Sequence, residues 1–219
     1  MTERWTFGVE PLTQTQEVAA LLRRVAGLAV AMEGEGDAVA RLIAHLRSAV
    51  QSMEAIAPGD LAPRVGADPA PERRVYLDHS RDIGAYNPCF PEYTIDVDGS
   101  RAWGSVTFPL AFEGPPAIVH GGVLATFFDC VIQHHNCDVG VAGKTTSLLV
   151  EYHRPTPLSE PLAFEIDREV DDTRITSRAR LQRGEKLLCS ATMQAVAGDR
   201  ARLSPVSPRR IARWVASDR

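Results

Sequence analysis

The chain has 219 residues, of which 44% are hydrophobic and 24% charged, the composition of an ordinary globular protein that can bury a core. A formal charge of −4 and a pI near 5.9 give no basic surface for nucleic acid, so we expect no nucleic-acid partner. The four cysteines have no paired spacing typical of a disulfide framework, which favours reduced thiols in a cytoplasmic protein.

The first part of the chain is predicted to be helical. Residues 1–10 lack the basic and apolar regions of a signal peptide. The apolar run at 19–32 is interrupted by Arg23 and Arg24, so we expect no membrane span. Apolar residues recur at helical spacing in two runs, from Val18 to Met32 and from Val39 to Met53, separated by a Gly-rich break. This pattern predicts a helical hairpin over residues 1–57, in which each helix hides one apolar stripe.

The rest of the chain divides into a linker, a second domain and a tail. Residues 58–71 contain four prolines and two glycines, which indicates a linker that we extend over 58–85. From residue 86 to 200 the pattern predicts two strands, one long apolar helix and four more strands, followed by a basic tail at 201–219. A single apolar helix among amphipathic strands is most easily buried by an antiparallel sheet that wraps around it, an α+β fold.

Two segments carry a family resemblance. Residues 118–129 read Ile-Val-His-Gly-Gly-Val-Leu-Ala-Thr-Phe-Phe-Asp, and residues 145–155 read Thr-Thr-Ser-Leu-Leu-Val-Glu-Tyr-His-Arg-Pro. Their order and separation resemble the hot-dog acyl-CoA thioesterases, specifically the PaaI-like and THEM-like branch. The resemblance covers residues 86–197 and implies a hot-dog fold. It also implies hydrolysis of an acyl- or aryl-CoA thioester to the free acid and CoA, with no cofactor.

Gly121 and Gly122 are the first candidate site residues, because they lie where a loop enters the long helix. Free backbone N–H groups at a helix N-terminus point outward, and glycine lets a ligand oxygen approach without obstruction by a Cβ. A thioester carbonyl at the Gly122 N–H would be polarised and its oxyanion stabilised. The alternative is that the glycines only permit tight packing between helix and sheet.

Asp129 is the candidate reactive group. It lies within an apolar segment, where a carboxylate is costly unless it is solvated, hydrogen-bonded or functional. The resemblance assigns this position the role of general base toward water or of direct nucleophile, and an alternative is a carboxylate that caps a loop.

The resemblance also suggests supporting residues. It implies that Thr145 helps hold the attacking water, that Asn87 of the Asn-Pro pair lies near the thioester, and that His120 orients the site. An ordinary strand threonine and an Asn-Pro turn are the competing interpretations. We expect three further residues to bind the substrate: Arg154, Lys144 and Thr146. Of these, the cations Arg154 and Lys144 would contact the CoA phosphates.

The spacing of Gly122 and Asp129 predicts a dimer. Seven residues of one helix separate the two groups by about 10 Å along its axis, too far for both to contact one carbonyl. Antiparallel central helices from two chains would bring Gly122 of one chain to Asp129 of the other. We therefore expect a homodimer, or a dimer of dimers, with two shared sites.

Three alternatives compete with a thioesterase. Cys130, His134, His135 and Cys137 lie close together, but their spacing matches no zinc motif, so we predict no metal. An enoyl-CoA hydratase of the same fold would carry acidic and histidine residues around Asn87-Pro88, where this chain has Ala85 and Phe90. A non-enzymatic acyl-CoA or lipid binder would use the same pocket without needing Asp129.

Overall fold

The computed structural model describes residues 9–64, 73–78, 82–138 and 143–197. Within these ranges the helices are α1 (Thr13–Val30), α2 (Asp37–Glu54) and α3 (Gly121–Asp138). The strands are β1 (Asp60–Arg64), β2 (Arg73–Val75), β3 (Tyr93–Asp98), β4 (Arg101–Thr107), β5 (Gly143–Tyr152), β6 (Pro161–Asp171), β7 (Arg174–Arg183) and β8 (Lys186–Ala197). Two short 3-10 helices, Ile83–Ala85 and Leu110–Phe112, flank the first strands of the main sheet.

The main sheet has six strands in the order β3-β4-β6-β7-β8-β5, and every neighbouring pair is antiparallel. Tight turns join β3 to β4, β6 to β7 and β7 to β8, whereas the chain passes from β4 through α3 to β5 at the far edge. The predicted order of two strands, a long helix and four strands is confirmed. Among the described residues β5 has a sheet partner on one side only, so its other edge is open there.

The central helix α3 packs against the concave face of the sheet, where it contacts β5, β6, β7 and β8. Phe127 and Phe128 are fully buried, and the Phe127 ring lies 5.4 Å from the rings of both Phe108 and Phe164. Burying each such side chain contributes about 1.5–3 kcal/mol. The helix is therefore held by one apolar face, and the opposite face is free for chemistry.

The N-terminal helices begin and end near the predicted residues, but their apolar stripes are not hidden. α2 has no buried residue, and Ile43, Val50 and Met53 are exposed. α1 instead packs on the two 3-10 helices, against which it buries Ala19 and Arg23. The apolar periodicity identified the helices correctly, but it could not identify the surface that each would meet.

Arg23 attaches α1 to the segment that leads into β3. Its guanidinium is 6% exposed and donates to the main-chain oxygens of Phe90 (2.7 Å), Gly84 (2.5 Å) and Asn87 (3.1 Å). It also forms an ion pair with Glu92 at 2.5 Å. One buried cation thus donates to three carbonyls of the segment that leads into β3, of which the Asn87 carbonyl also accepts from the Phe90 N–H at 3.1 Å.

The interval predicted as a linker contains a short parallel pair, β1 with β2, separate from the main sheet. The predicted basic tail, residues 201–219, lies outside the described residues, so the domain boundaries stay a prediction. Of the described helices, none combines the length and apolar character needed to cross a lipid bilayer.

Candidate functional site

The N-terminus of α3 is capped by His120. The His120 carbonyl accepts from the N–H groups of Val123 (2.9 Å) and Leu124 (3.2 Å), and its ring Nδ1 accepts from the Gly122 N–H at 3.0 Å. Histidine is not among the usual capping residues, so the sequence carried no signal for this bond. The predicted oxyanion donor, the Gly122 N–H, therefore already points at an acceptor that is itself exposed.

Both glycines at this helix end lie close to other side chains. A Cβ at Gly122 would lie 3.2 Å from two atoms of the His120 ring, and one at Gly121 would lie 3.4 Å from the Tyr152 hydroxyl. The Tyr152 hydroxyl donates to the Gly121 carbonyl at 2.9 Å. Close packing and an accessible N–H therefore occur together here, so the two interpretations of the glycine pair are compatible.

Asp129 lies two turns further along α3 and is hydrogen-bonded to β5. The Thr145 hydroxyl donates to its Oδ1 at 3.0 Å, and the Gln133 amide donates to that hydroxyl at 2.7 Å. Since the Thr145 oxygen accepts a hydrogen bond from the Gln133 amide, its own O–H is directed to the carboxylate. Asp129 is thus an oriented carboxylate with one oxygen that has no such donor among the described side chains.

A β-bulge separates Thr145 from Ser147 in the pairing of β5 with β8. Thr146 is the extra residue, and its hydroxyl donates to the Gln194 carbonyl at 3.0 Å. The bulge turns Thr145 toward α3, because Leu148 and Val150, on the opposite parity of the strand, also pack against the core. Bulges that re-aim a side chain in this way are frequent beside active sites.

The remaining predicted residues do not meet Asp129 within one protomer. Asn87 accepts from the Cys89 N–H at 2.9 Å in a side-chain turn, and no hydrogen bond joins it to His120 in the described ranges. The Arg154 guanidinium donates to the Leu187 carbonyl at 2.8 Å at the end of β5, while Lys144 lies exposed at the start of that strand.

The cysteine and histidine side chains of α3 lie in environments that do not favour metal binding. Burial, with a smaller contribution from Asp129, raises the pKa of Cys130 to about 12, which disfavours the thiolate that zinc needs. His134 is buried and shares a 2.7 Å hydrogen bond with the Tyr93 hydroxyl. Within the described ranges, no group of three or more His, Cys, Asp or Glu side chains is arranged to hold a metal ion.

The chain matches no known family model, and no curated protein matches it by sequence. Among solved structures, a thioesterase superfamily protein is similar over 87% of this chain and 95% of its own, with 27% identity and a TM-score of 0.69. The chain has the hot-dog fold of the thioesterase superfamily. Residues 86–197 make up only about half of this chain, so a likeness over 87% of it extends into residues outside that range.

Other solved structures are similar over a smaller part of this chain. A hypothetical thioesterase from Streptococcus pneumoniae TIGR4, solved with coenzyme A, covers 48% of this chain and 88% of its own, with 16% identity and a TM-score of 0.46. The E. coli PaaI protein of the phenylacetic acid degradation operon covers 48% and 82%, with 14% identity and a TM-score of 0.45.

Two site residues were not identified from the sequence. Gln133 was not among the predicted site residues, although it lies one helical turn after Asp129 and contacts the same threonine. Tyr152 lies seven positions after Thr145, an odd gap that puts them on opposite faces of a regular strand. The bulge places both Thr145 and Tyr152 on the side of β5 that faces α3, and no feature of the sequence indicated the bulge.

Proposed function

We propose that the protein hydrolyses acyl-CoA thioesters. The observation that carries this proposal is Asp129, a carboxylate that lies between Phe128 and Cys130 in α3. The Thr145 hydroxyl holds it on the face of the helix that the core leaves open. The likeness to a thioesterase superfamily protein over nearly the whole of both chains supports the same conclusion.

The chemistry follows from the hydrogen bonds of Asp129. In one route the free carboxylate oxygen takes a proton from water, whose oxygen attacks the thioester carbonyl carbon. The tetrahedral intermediate then collapses, the C–S bond breaks, and the proton passes to the departing CoA sulfur. In the other route an Asp129 oxygen attacks the carbonyl carbon, the C–S bond breaks, and the CoA thiolate leaves as a mixed anhydride forms. Water then cleaves the anhydride, which restores the Asp129 carboxylate and releases the acid, and a proton from that water passes to the CoA thiolate. The base or nucleophile alternative stays open, since the oriented carboxylate serves both.

The Gly122 N–H is the proposed oxyanion donor. A substrate carbonyl oxygen would take the place of the His120 Nδ1, which now accepts from that N–H at 3.0 Å. The His120 ring is exposed, so it can turn aside without breaking core contacts. A donor of this kind contributes about 2.7–4 kcal/mol to transition-state stabilisation.

The proposed site is shared between two protomers. Gly122 and Asp129 are about 10 Å apart along α3, so both reach one carbonyl only if two α3 helices pack antiparallel. Two surfaces favour this pairing. The open stripe on α3 contains Gly122, Ala125, Asp129 and Gln133, and the unpaired edge of β5 lies beside it. A ten-residue strand with an open edge is an unusual liability for a monomer.

The same symmetry accounts for the separated cations. Lys144 and Arg154 lie at opposite ends of β5, ten residues or about 33 Å apart, too far for one CoA to contact both in a single protomer. In an antiparallel pair, Arg154 of one protomer lies at the same end as Lys144 of the other. We assign these two cations to CoA phosphates on that basis.

The test is release of free CoA from a panel of acyl- and aryl-CoAs of different chain lengths. We expect turnover by the wild-type protein, and a loss of at least about 100-fold in kcat for Asp129→Asn, which keeps the size of the side chain but removes the base. Asp96→Asn is the matched control, because Asp96 is an exposed carboxylate on the outer side of β3.

Each alternative has its own outcome. Tight acyl-CoA binding without turnover in either protein would indicate a non-enzymatic binder. Hydration of an enoyl-CoA without CoA release would indicate the hydratase activity. Full activity of Asp129→Asn would contradict the assigned role of that residue.

A further inference from the structure

Tyr152 connects β5 to the N-terminus of α3. Its hydroxyl donates to the Gly121 carbonyl at 2.9 Å, and its ring lies against the Gly121 backbone, 3.4 Å from the position of a Cβ. The side chain as a whole is 55% exposed, and it lies on the open edge strand.

The Gly121 carbonyl and the Gly122 N–H belong to the same peptide group. A proton donated to an amide oxygen draws electron density from the nitrogen, so the N–H on the other side becomes a stronger donor. The bonds form one continuous chain: the Tyr152 O–H to the Gly121 oxygen, and the Gly122 N–H to the His120 Nδ1. Both ends of this peptide are therefore fixed, and its plane is set.

We propose that Tyr152 is a positioning residue that orients and polarises the Gly121–Gly122 peptide as an oxyanion donor. This inference rests on the proposed thioesterase function and extends it to a residue that never touches the substrate. Tyr152 would act only through the Gly122 N–H, so its contribution is made in the transition state, when negative charge develops on the carbonyl oxygen.

The protonation state of Tyr152 suits this role. Burial, with a smaller contribution from Cys189, raises the pKa of the Tyr152 hydroxyl. The group therefore stays a neutral O–H donor throughout the physiological range. Thr126 offers a contrast, because its hydroxyl donates to the Gly122 carbonyl, which belongs to the next peptide along the helix.

The first test reads the peptide directly and needs no activity. The sequence contains one Gly-Gly pair, so protein labelled with 13C-carbonyl glycine and 15N glycine has a 13C–15N bond only between Gly121 and Gly122. A three-dimensional NMR correlation of amide proton, nitrogen and preceding carbonyl then gives one signal. We expect Tyr152→Phe to move the Gly121 carbonyl carbon and the Gly122 amide proton to higher field.

The second test is kinetic. We expect Tyr152→Phe to lower kcat for acyl-CoA hydrolysis about 3- to 10-fold with KM within twofold, because only a transition-state interaction is weakened. Tyr86→Phe is the matched control: it removes a tyrosine hydroxyl that also donates to a main-chain carbonyl, that of Asp78, at 3.2 Å. We expect its kcat and its Gly-Gly signal to stay unchanged.

The outcomes separate this inference from the proposed function. An unmoved Gly-Gly signal in Tyr152→Phe overturns the inference, as does a rise in KM at constant kcat, which would place Tyr152 against the substrate. A wild-type protein that hydrolyses no thioester overturns the proposed function. In that case the movement of the Gly-Gly signal in Tyr152→Phe, and not in Tyr86→Phe, still supports polarisation of the peptide.

Discussion

Thr145 determines how Asp129 is presented. Its hydroxyl has one proton to donate, and the Gln133 amide directs that proton toward the carboxylate by occupying the oxygen lone pair. One carboxylate oxygen is thereby held, and the other remains available for water. A carboxylate on a helix face would otherwise sample several rotamers, few of which aim at a carbonyl on a partner helix.

Removing this hydroxyl should slow the reaction without preventing binding. We expect Thr145→Val, which is close to isosteric, to lower kcat by about 10-fold with little change in KM, because the carboxylate loses its orienting donor. Steady-state CoA release measures both constants. Thr176→Val on β7 is the control for loss of a strand hydroxyl, and equal kcat values for Thr145→Val and wild type would contradict the role of Thr145.

At this scale the sequence identified residue types better than their bonds. The His-Gly-Gly motif, Asp129 and Thr145 were singled out, and the structure brings Asp129 and Thr145 together. Asn87 was expected near the thioester, which stays a prediction, and in the protomer its side chain accepts from the Cys89 N–H in a local turn. Local turn bonds compete with long-range ones for Asn, and the sequence alone does not determine which bond forms.

Contacts with the segment that leads into β3 attach helix α1 to the half of the chain that contains α3 and the main sheet. Its attachment depends on Arg23, whose partners are 61 to 69 positions away in the sequence. Helical periodicity predicted α1 well because it is a local property. It treated Arg23 as an interruption of an apolar run, since no pattern within the helix reports a contact so distant.

Arg23 should therefore be a stability determinant. We expect Arg23→Ala to lower the free energy of unfolding by about 3–5 kcal/mol, because three carbonyls and Glu92 lose a buried cation. Urea unfolding followed by circular dichroism measures this. Arg24→Ala, at the exposed neighbouring position, should change stability by less than about 0.5 kcal/mol. Similar losses in both variants would show that Arg23 acts only as a helix residue.

For the molecule as a whole, the proposed chemistry requires two copies. The midpoint between Gly122 and Asp129 falls between Ala125 and Thr126, so an antiparallel pair of α3 helices would have its two-fold axis there. Ala125 is small and only half-buried in the protomer, which suits close approach of two helices. The predicted fold was confirmed at this scale because the order of helices and strands restricts the topology strongly. Assembly depends instead on which surfaces of two chains meet, and the sequence pattern of one chain does not determine that.

A charge at this axis should separate the protomers. We expect Ala125→Arg to convert the dimer to a monomer, since two like charges would face each other across the axis, and to reduce CoA release at least about 100-fold through loss of the shared site. Light scattering coupled to gel filtration gives the mass. Thr173→Arg, in the exposed β6–β7 turn, should keep both mass and activity. Thioesterase activity in a monomeric form of the wild type or of Ala125→Arg would contradict the shared site.

The bulge at Thr146 changes how related chains should be compared. With the extra residue, Thr145 and Tyr152 face α3 although seven positions separate them, while an unbulged strand would need a separation of six. A relative with that shorter spacing can therefore carry the same pair of hydroxyls, and an alignment without a gap would pair the wrong residues. Counting residues between the threonine and the tyrosine thus reveals, from sequence alone, which members of the superfamily carry the bulge.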